Sequence, residues 1–231
     1  NTYYYWVRSY NQQGLASSLS SAVERIAAYK IDSIEDLVKV GRTEEWTADE
    51  DYIVATDLDF STDGSYEDPT TTEFGDLNGD GTTDGLKTEV TTSSSWQPIP
   101  SGFNGQFMGN NQQLANLYLD RDADNQGLFA KLGQGAVVKD LTIDTVDMKT
   151  ASKAGVLAGE AVEAEITNCM VKNAAVDIYR TNETSEFDDD LYKGQSFIGG
   201  LVGMTKNTRI ANASLFNLEL MKDSLFTKGD K

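Results

Sequence analysis

Four stretches of the chain superimpose, and they constrain the fold more than any other feature. They are GQFMGNNQQLANLYL (105–119), GLFAKLGQGAVVKDLTI (127–143), GVLAGEAVEAEITNCMV (155–171) and GGLVGMTKNTRIANASL (199–215). Their shared core reads apolar, any residue, Asn or Asp, apolar or small, any residue, apolar. It is Leu114, Asn116, Leu117, Leu119 in the first and Val138, Asp140, Leu141, Ile143 in the second. It is Ile166, Asn168, Cys169, Val171 in the third and Ile210, Asn212, Ala213, Leu215 in the fourth. The units follow one another at 24 (114 to 138), 28 (138 to 166) and 44 (166 to 210) residues, and a polar excursion, 179–195, accounts for the longest gap. A period in the twenties with strand-like alternation belongs to a solenoid, in which no unit buries its apolar face alone and stacking supplies the core.

This pattern predicts an all-β, right-handed parallel β-helix whose equivalent aliphatic side chains stand in columns, strands about 4.8 Å apart. Gly127, Gly155 and Gly199 are expected where the backbone turns with positive φ. The asparagines are expected to stack as a ladder of side-chain amides. Asp140 interrupts that ladder, because a carboxylate brings no donor, and is expected to face solvent or accept from backbone amides.

The runs GLFAKLGQGAVVKDLTI and GGLVGMTKNTRIANASL resemble GLUG repeats of large bacterial surface and secreted proteins. The resemblance covers roughly residues 31–220 and implies the same right-handed parallel β-helix, in adhesins and in non-catalytic regions of secreted peptidases. One departure stands in the second unit: Lys131 occupies the place given to glycine by Gly159 and Gly203 in the third and fourth.

Two flanking pieces complete the organisation. IDSIEDLVKVG (31–41) reads as a short helix capping the solenoid's open edge: Ser33 suits the N-cap, Asp36 the capping-box position, Ile34, Leu37 and Val38 give one apolar face, and Gly41 ends it. The first 24 residues alternate, with Tyr3, Tyr5 and Val7 on one face and Tyr4, Trp6 and Arg8 on the other. With Gly14 as a turn they predict a β-hairpin that resembles the last two strands of a fibronectin type III domain. The organisation is therefore a hairpin over 1–24 and a β-helix over 31–231, with an acidic insert at 61–95. Asn1 and the uncapped C-terminal side lead us to expect a piece of a longer chain.

Composition narrows the chemistry. Thirty-seven acidic residues against nineteen basic ones give a net charge of -18, which repels nucleic acid and anionic membranes and attracts cations. No stretch is apolar enough for a membrane span. Histidine is absent, which removes His-based triads and the usual zinc ligand. The single cysteine, Cys169, sits in an apolar run and reads as a buried thiol. No phosphate-binding glycine loop is present.

The sharpest chemical motif is DLNGDGTTD (76–84). Asp76, Asn78, Asp80, Thr82 and Asp84 place oxygen donors at positions 1, 3, 5, 7 and 9 of a calcium loop, with Gly81 at position 6. Lys87 replaces the position-12 glutamate, so Glu89, Asp59 or Asp63 is expected to supply the missing carboxylate. The excursion 179–195 holds Glu186 and Asp188–Asp190 and reads as a solvated acidic loop rather than a site, although its length and its Tyr179, Phe187 and Tyr192 leave it open as a binding loop.

The reading is a non-catalytic extracellular or cell-surface segment, a calcium-strengthened rod presenting loops to a glycan or protein receptor. A phage tail fibre in a virion is one alternative. A polysaccharide-active enzyme is another, with Asp120, Asp122, Asp144 and Asp147 as candidate acids beside Arg121, Lys149 and Lys172.

Overall fold

The computed structural model describes residues 28–62, 95–100, 102–121, 123–150, 153–178 and 197–222, four further strands, and Tyr10, Asn11 and Gln13. The chain opens with β1 (Thr2–Tyr5) and β2 (Val23–Ile26), an antiparallel pair with Thr2 opposite Ile26. The expected turn at Gly14 and the Ser-rich run after it lie outside the described residues. Next come β3 (Tyr29–Ile31), α1 (Ile34–Lys39), β4 (Tyr52–Val54), β5 (Leu58–Asp59) and a 3-10 turn at Phe60–Thr62. A second antiparallel pair joins β6 (Thr72–Gly75) to β7 (Gly85–Thr88).

The repeats follow as units. The first holds β8 (Gln106–Met108), β9 (Gln113–Arg121) and β10 (Phe129–Leu132). The second holds β11 (Val137–Lys139), β12 (Thr142–Thr150), β13 (Ala154–Gly155) and β14 (Ala158–Val162). The third holds β15 (Glu165–Thr167), β16 (Met170–Ile178), β17 (Ile198–Gly199) and β18 (Val202–Lys206). β19 (Arg209–Ala211) and β20 (Ser214–Lys222) begin a fourth.

The protein is mostly β, and its large sheets are parallel. One runs β19-β15-β11-β8-β4-β3, a second β20-β16-β12-β9-β5, and a third β10-β14-β18. Every strand of a unit pairs with its counterpart in the next, so sequence-distant residues become neighbours in fixed register. Phe107, Val138, Ile166 and Ile210 form one column. Leu114, Ile143, Val171 and Leu215 form another. Leu117, Val146, Ala174 and Leu218 form a third, and Leu119, Met148, Val176 and Leu220 a fourth. The members of these columns in the first three units belong to one apolar cluster that runs from Ile31 to Leu201, and Leu218 packs against it. Burying each aliphatic side chain in it contributes about 1.5–3 kcal/mol. Rings fill the early end: Phe103, Phe107 and Phe129 stand with centroids 5.1–6.4 Å apart.

These columns correct the sequence alignment in its first unit. Leu114 pairs with Ile143, not Val138, and Leu117 stands with Val146 rather than Leu141. The true partner of Val138 is Phe107. The cause is a five-residue recurrence inside each unit: Val138-Asp140-Leu141 is followed by Ile143-Thr145-Val146 in the same geometry, so Leu114-Asn116-Leu117 matches either half. The corner 109–112, two residues longer than its counterpart 140–141, displaces the remainder.

Left-handed backbone marks those corners. Asn116, Thr145, Asn173 and Asn217 all have φ between 49° and 58°, and so do Asn111's successors Asp140, Asn168 and Asn212. Asparagine tolerates this region better than other L residues because its short amide bonds locally. Gly127, Gly155 and Gly199, by contrast, do not have the positive φ expected of them. Backbone lies too close for a Cβ: one on Gly127 would sit 2.3 Å from the Gly155 carbonyl oxygen and one on Gly155 2.5 Å from the amide nitrogen of Gly203, both in the next unit, while one on Gly199 would sit 2.1 Å from the Val202 carbonyl oxygen of its own unit.

Lys131 is also corrected. Phe129 pairs with Ala158 and Lys131 with Glu160, so Ala130, not Lys131, stands opposite Gly159. Lys131 instead bridges to Glu160 at 3.0 Å.

The helix α1 forms as its caps require. The Ser33 hydroxyl accepts from the Asp36 amide at 3.2 Å, and Gly41 leaves with φ of 70°. Ile34 and Leu37 are buried in the main cluster beside Ile31, Val54 and Leu58, so the first edge of the stack is covered.

Candidate functional site

Three places in the fold gather the residues that chemistry needs. The first is the acidic hairpin. Gly75 stands opposite Gly85 and Glu73 opposite Lys87, so 76–84 is the connection between β6 and β7. The five proposed calcium donors, Asp76, Asn78, Asp80, Thr82 and Asp84, lie outside the described residues, as do Asp63 and Glu89. Asp59 is committed elsewhere: its Oδ1 accepts from the Ser61 amide (3.0 Å), the Ser61 hydroxyl (2.7 Å) and Asn116 Nδ2 (2.7 Å). Those bonds, Asn116 first, hold its carboxyl below the usual carboxylate range. Among the described residues no three acidic, His or Cys side chains converge as a metal group.

The second place is the outer face of the five-stranded sheet. Asp120, Lys149 and Asp177 occupy one register column, and Tyr118 faces Asp147 in the next. The Tyr118 hydroxyl donates to Asp120 Oδ2 at 3.1 Å, and Lys149 Nζ lies 6.0 Å from the Tyr118 ring centroid. Asp120 and Asp177 are two strand spacings apart, about 10 Å between their Cα atoms. Near the opposite end of β12, Asp144 pairs with Lys172 (3.4 Å) and accepts from Asn173 Nδ2 (2.8 Å). Burial pushes the Asp144 carboxyl up, but the Asn173 and Lys172 hydrogen bonds and the Lys172 charge outweigh it and leave the pKa lowered. Asp144 is thus held as a carboxylate, suited to a structural acceptor and unsuited to donating a proton near neutrality.

Of the residues singled out as acids, then, Asp120 and Asp147 share this face with Lys149, Asp144 belongs to an ion pair with Lys172, and Asp122 lies outside the described residues. Arg121 stands at the end of β9 opposite Thr150. Tyr118 and Asp177 went unnoticed. Both were findable once Asp120 was aligned with Lys149, but the five-residue slip hid that register.

The third place is a cleft of about 450 Å³ beside α1, lined by Asp32, Ser33, Glu35, Asp57, Asp59 and Thr62. Three of its carboxylates already have partners within the fold, Asp59 as described above. Asp57 accepts from the Gln113 amide at 2.7 Å, and Asp32 pairs with Lys30 at 2.9 Å.

The asparagine amides at the left-handed corners form directional ladders on the carboxylates of Asp140, itself at a corner, and Asp144, one residue before the corner residue Thr145. Asn168 Nδ2 donates to Asp140 Oδ1 (2.9 Å), and Asn212 Nδ2 donates to Asn168 Oδ1 (3.1 Å). Asn217 Nδ2 donates to Asn173 Oδ1 (2.8 Å) above the Asn173–Asp144 bond already described. Asp140 therefore does not interrupt the stack. Its carboxylate is the accepting foot on which the next asparagine stands, a side-chain partner in place of solvent or backbone.

The excursion 179–195 lies outside the described residues; the chain leaves β16 at Ile178 and enters β17 at Ile198. Cys169 is buried, as expected, with Sγ 3.4 Å from the Thr167 carbonyl oxygen. No described helix is long and apolar enough to cross a membrane. Compared with known proteins, the chain matches no family model, no curated protein and no solved structure.

Proposed function

We propose that this chain is a stretch of right-handed parallel β-helix, related to GLUG-repeat surface proteins, that serves as a rigid, non-catalytic extracellular rod presenting loops to a glycan or protein receptor. The observation that carries the reading is the parallel pairing of each unit with the next through three sheets. Parallel strands require crossover connections, and such connections are right-handed with few exceptions. A stack joined along its length in this way has no hinge between its units, and rigidity is what a spacer needs.

Calcium at 76–84 strengthens this rod by pinning the long acidic insert. The pairing of β6 with β7 supports this, since it brings both ends of the motif together. Thermal unfolding with and without calcium tests it. At calcium a hundredfold above its Kd, binding stabilises by about 2.7 kcal/mol, a rise in Tm of about 5–10 °C for a chain of this size. The Asp80→Asn variant loses that rise. An unchanged Tm at millimolar calcium, or a rise that Asp80→Asn retains, refutes the calcium site. Small-angle scattering reads the rod itself: a profile of a compact sphere is incompatible with it.

A polysaccharide-active enzyme is the second reading, favoured by one observation: Asp120, Lys149 and Asp177 share one register column on the sheet face away from the core, beside the buried Tyr118 whose hydroxyl donates to Asp120. Paired carboxylates across a groove are what glycoside cleavage uses. Release of reducing or unsaturated ends from acidic polysaccharides, abolished by Asp120→Asn, decides for it. Binding without cleavage leaves the rod reading in place.

A further inference from the structure

We propose that the β19–β20 edge is a docking surface for one further unit of the same pattern: a strand parallel to β20 carrying side-chain amides at two positions five residues apart. The inference rests on the stacked reading above, and two independent observations point to it.

The first is apolar. Three of the four columns stay buried through the third unit and open at the last, while Leu218 of the remaining one still packs against the core. Phe107, Val138 and Ile166 are fully buried, whereas Ile210 is 43% exposed. Leu114, Ile143 and Val171 are buried and Leu215 is 49% exposed; Leu119, Met148 and Val176 are buried and Leu220 is 51% exposed. Three aliphatic side chains whose positions are core in every preceding unit thus stand half exposed along the open edge, Ile210 on β19 and Leu215 and Leu220 on β20.

The second is directional. In both ladders the amide of each later unit donates to the oxygen of the earlier one. Asn212 and Asn217 each donate one bond to the unit below, and among the described residues no donor reaches their Oδ1 atoms. The occupant must therefore bring hydrogens to both positions while covering Ile210, Leu215 and Leu220. A unit with asparagine at the left-handed corners does both at once. The opposite end of a second copy does not. There α1 packs on the core, and the carboxylate at that end, Asp59, accepts from Asn116 and has no hydrogen to donate.

Register supplies the experiment. Lys222 stands opposite Ile178, and Ile178 opposite Thr150. A second copy of residues 151–178, inserted in the full chain between Lys222 and Asp223, therefore enters where a next unit would begin. The expected result is a Tm higher by about 5 °C or more and at least a twofold loss of fluorescence from the dye ANS. Asn168→Asp and Asn173→Asp within the inserted copy remove at least half of the Tm gain, because a carboxylate cannot donate to Asn212 or Asn217.

The proposal is overturned by an insert that gives no gain, by a scrambled 28-residue insert that gives the same gain, or by Asp variants that keep all of it. It is overturned too if the unmodified chain binds no ANS. A dimer of the unmodified chain in sedimentation, dissociated by Leu215→Glu, would show that the occupant is a second copy. Asn168→Asp at the original position separates the two levels: if it destabilises the parent while the insert does nothing, the stack stands and only the docking inference fails.

Discussion

Asn168 shows how much a single atom pair decides in this protein. Its backbone sits at φ of 53°, and its amide joins Asp140 below to Asn212 above. Asn168→Asp keeps the shape but removes the donor and sets a carboxylate 2.9 Å from another. We expect it to lower stability by about 1–3 kcal/mol in urea unfolding. Asp140→Asn, which relieves charge and keeps an acceptor, is expected to change stability by less than about 0.5 kcal/mol; an equal loss in both variants would contradict the ladder's direction. Cys169 gives a second test. Burial pushes its thiol up to about 11 from an ordinary 9.0. Between these values the unfolded chain has lost the proton that the folded chain keeps, so stability falls as pH rises from 9 to 11. The loss specific to Cys169 is up to about 2–3 kcal/mol, and Cys169→Ala should flatten it. If the variant shows the same slope, the thiol is not the group responsible.

At the level of elements, the corners are decided by how close two turns of backbone come. Gly159 and Gly135 look alike in sequence and differ in space. A Cβ on Gly159 would lie 2.3 Å from Asn125 Cα and 2.7 Å from the Gln126 amide nitrogen, which are backbone atoms of the preceding unit. Gly135 has open space around it and a φ of 84°. Gly159→Ala should therefore cost about 3 kcal/mol or more, because packed backbone must shift. Gly135→Ala should cost only the left-handed penalty, about 1–2 kcal/mol. Chemical denaturation of the two variants separates them, and the reverse ranking would place the close approach at the wrong corner. The helix α1 was readable because its determinants are local: a cap, a three-residue hydrogen bond and one turn of apolar spacing. The glycine corners were not, because their constraint comes from a neighbouring unit.

For the molecule as a whole, a charge of -18 means that folding compacts like charges. Raising sodium chloride from about 0.05 to about 0.5 M shortens the screening length severalfold and is expected to raise Tm. A fall would mean that attractive pairs such as Lys131–Glu160 dominate instead. The calcium titration should be read against this baseline, since a specific site adds to screening. The chain's composition and periodicity were enough to determine that it is rich in short strands, that asparagines mark corners, that Cys169 is buried and where α1 begins and ends. These follow from each residue's own stereochemistry and from apolar spacing along the chain. Only the tertiary structure decided the register: that Phe107 rather than Leu114 meets Val138, that Ala130 rather than Lys131 meets Gly159, and that Asp120, Lys149 and Asp177 share a column. A five-residue recurrence satisfies the alternating pattern in either alignment. Corner lengths and the contact of one backbone with the next select between them, and those exist only once the units are stacked.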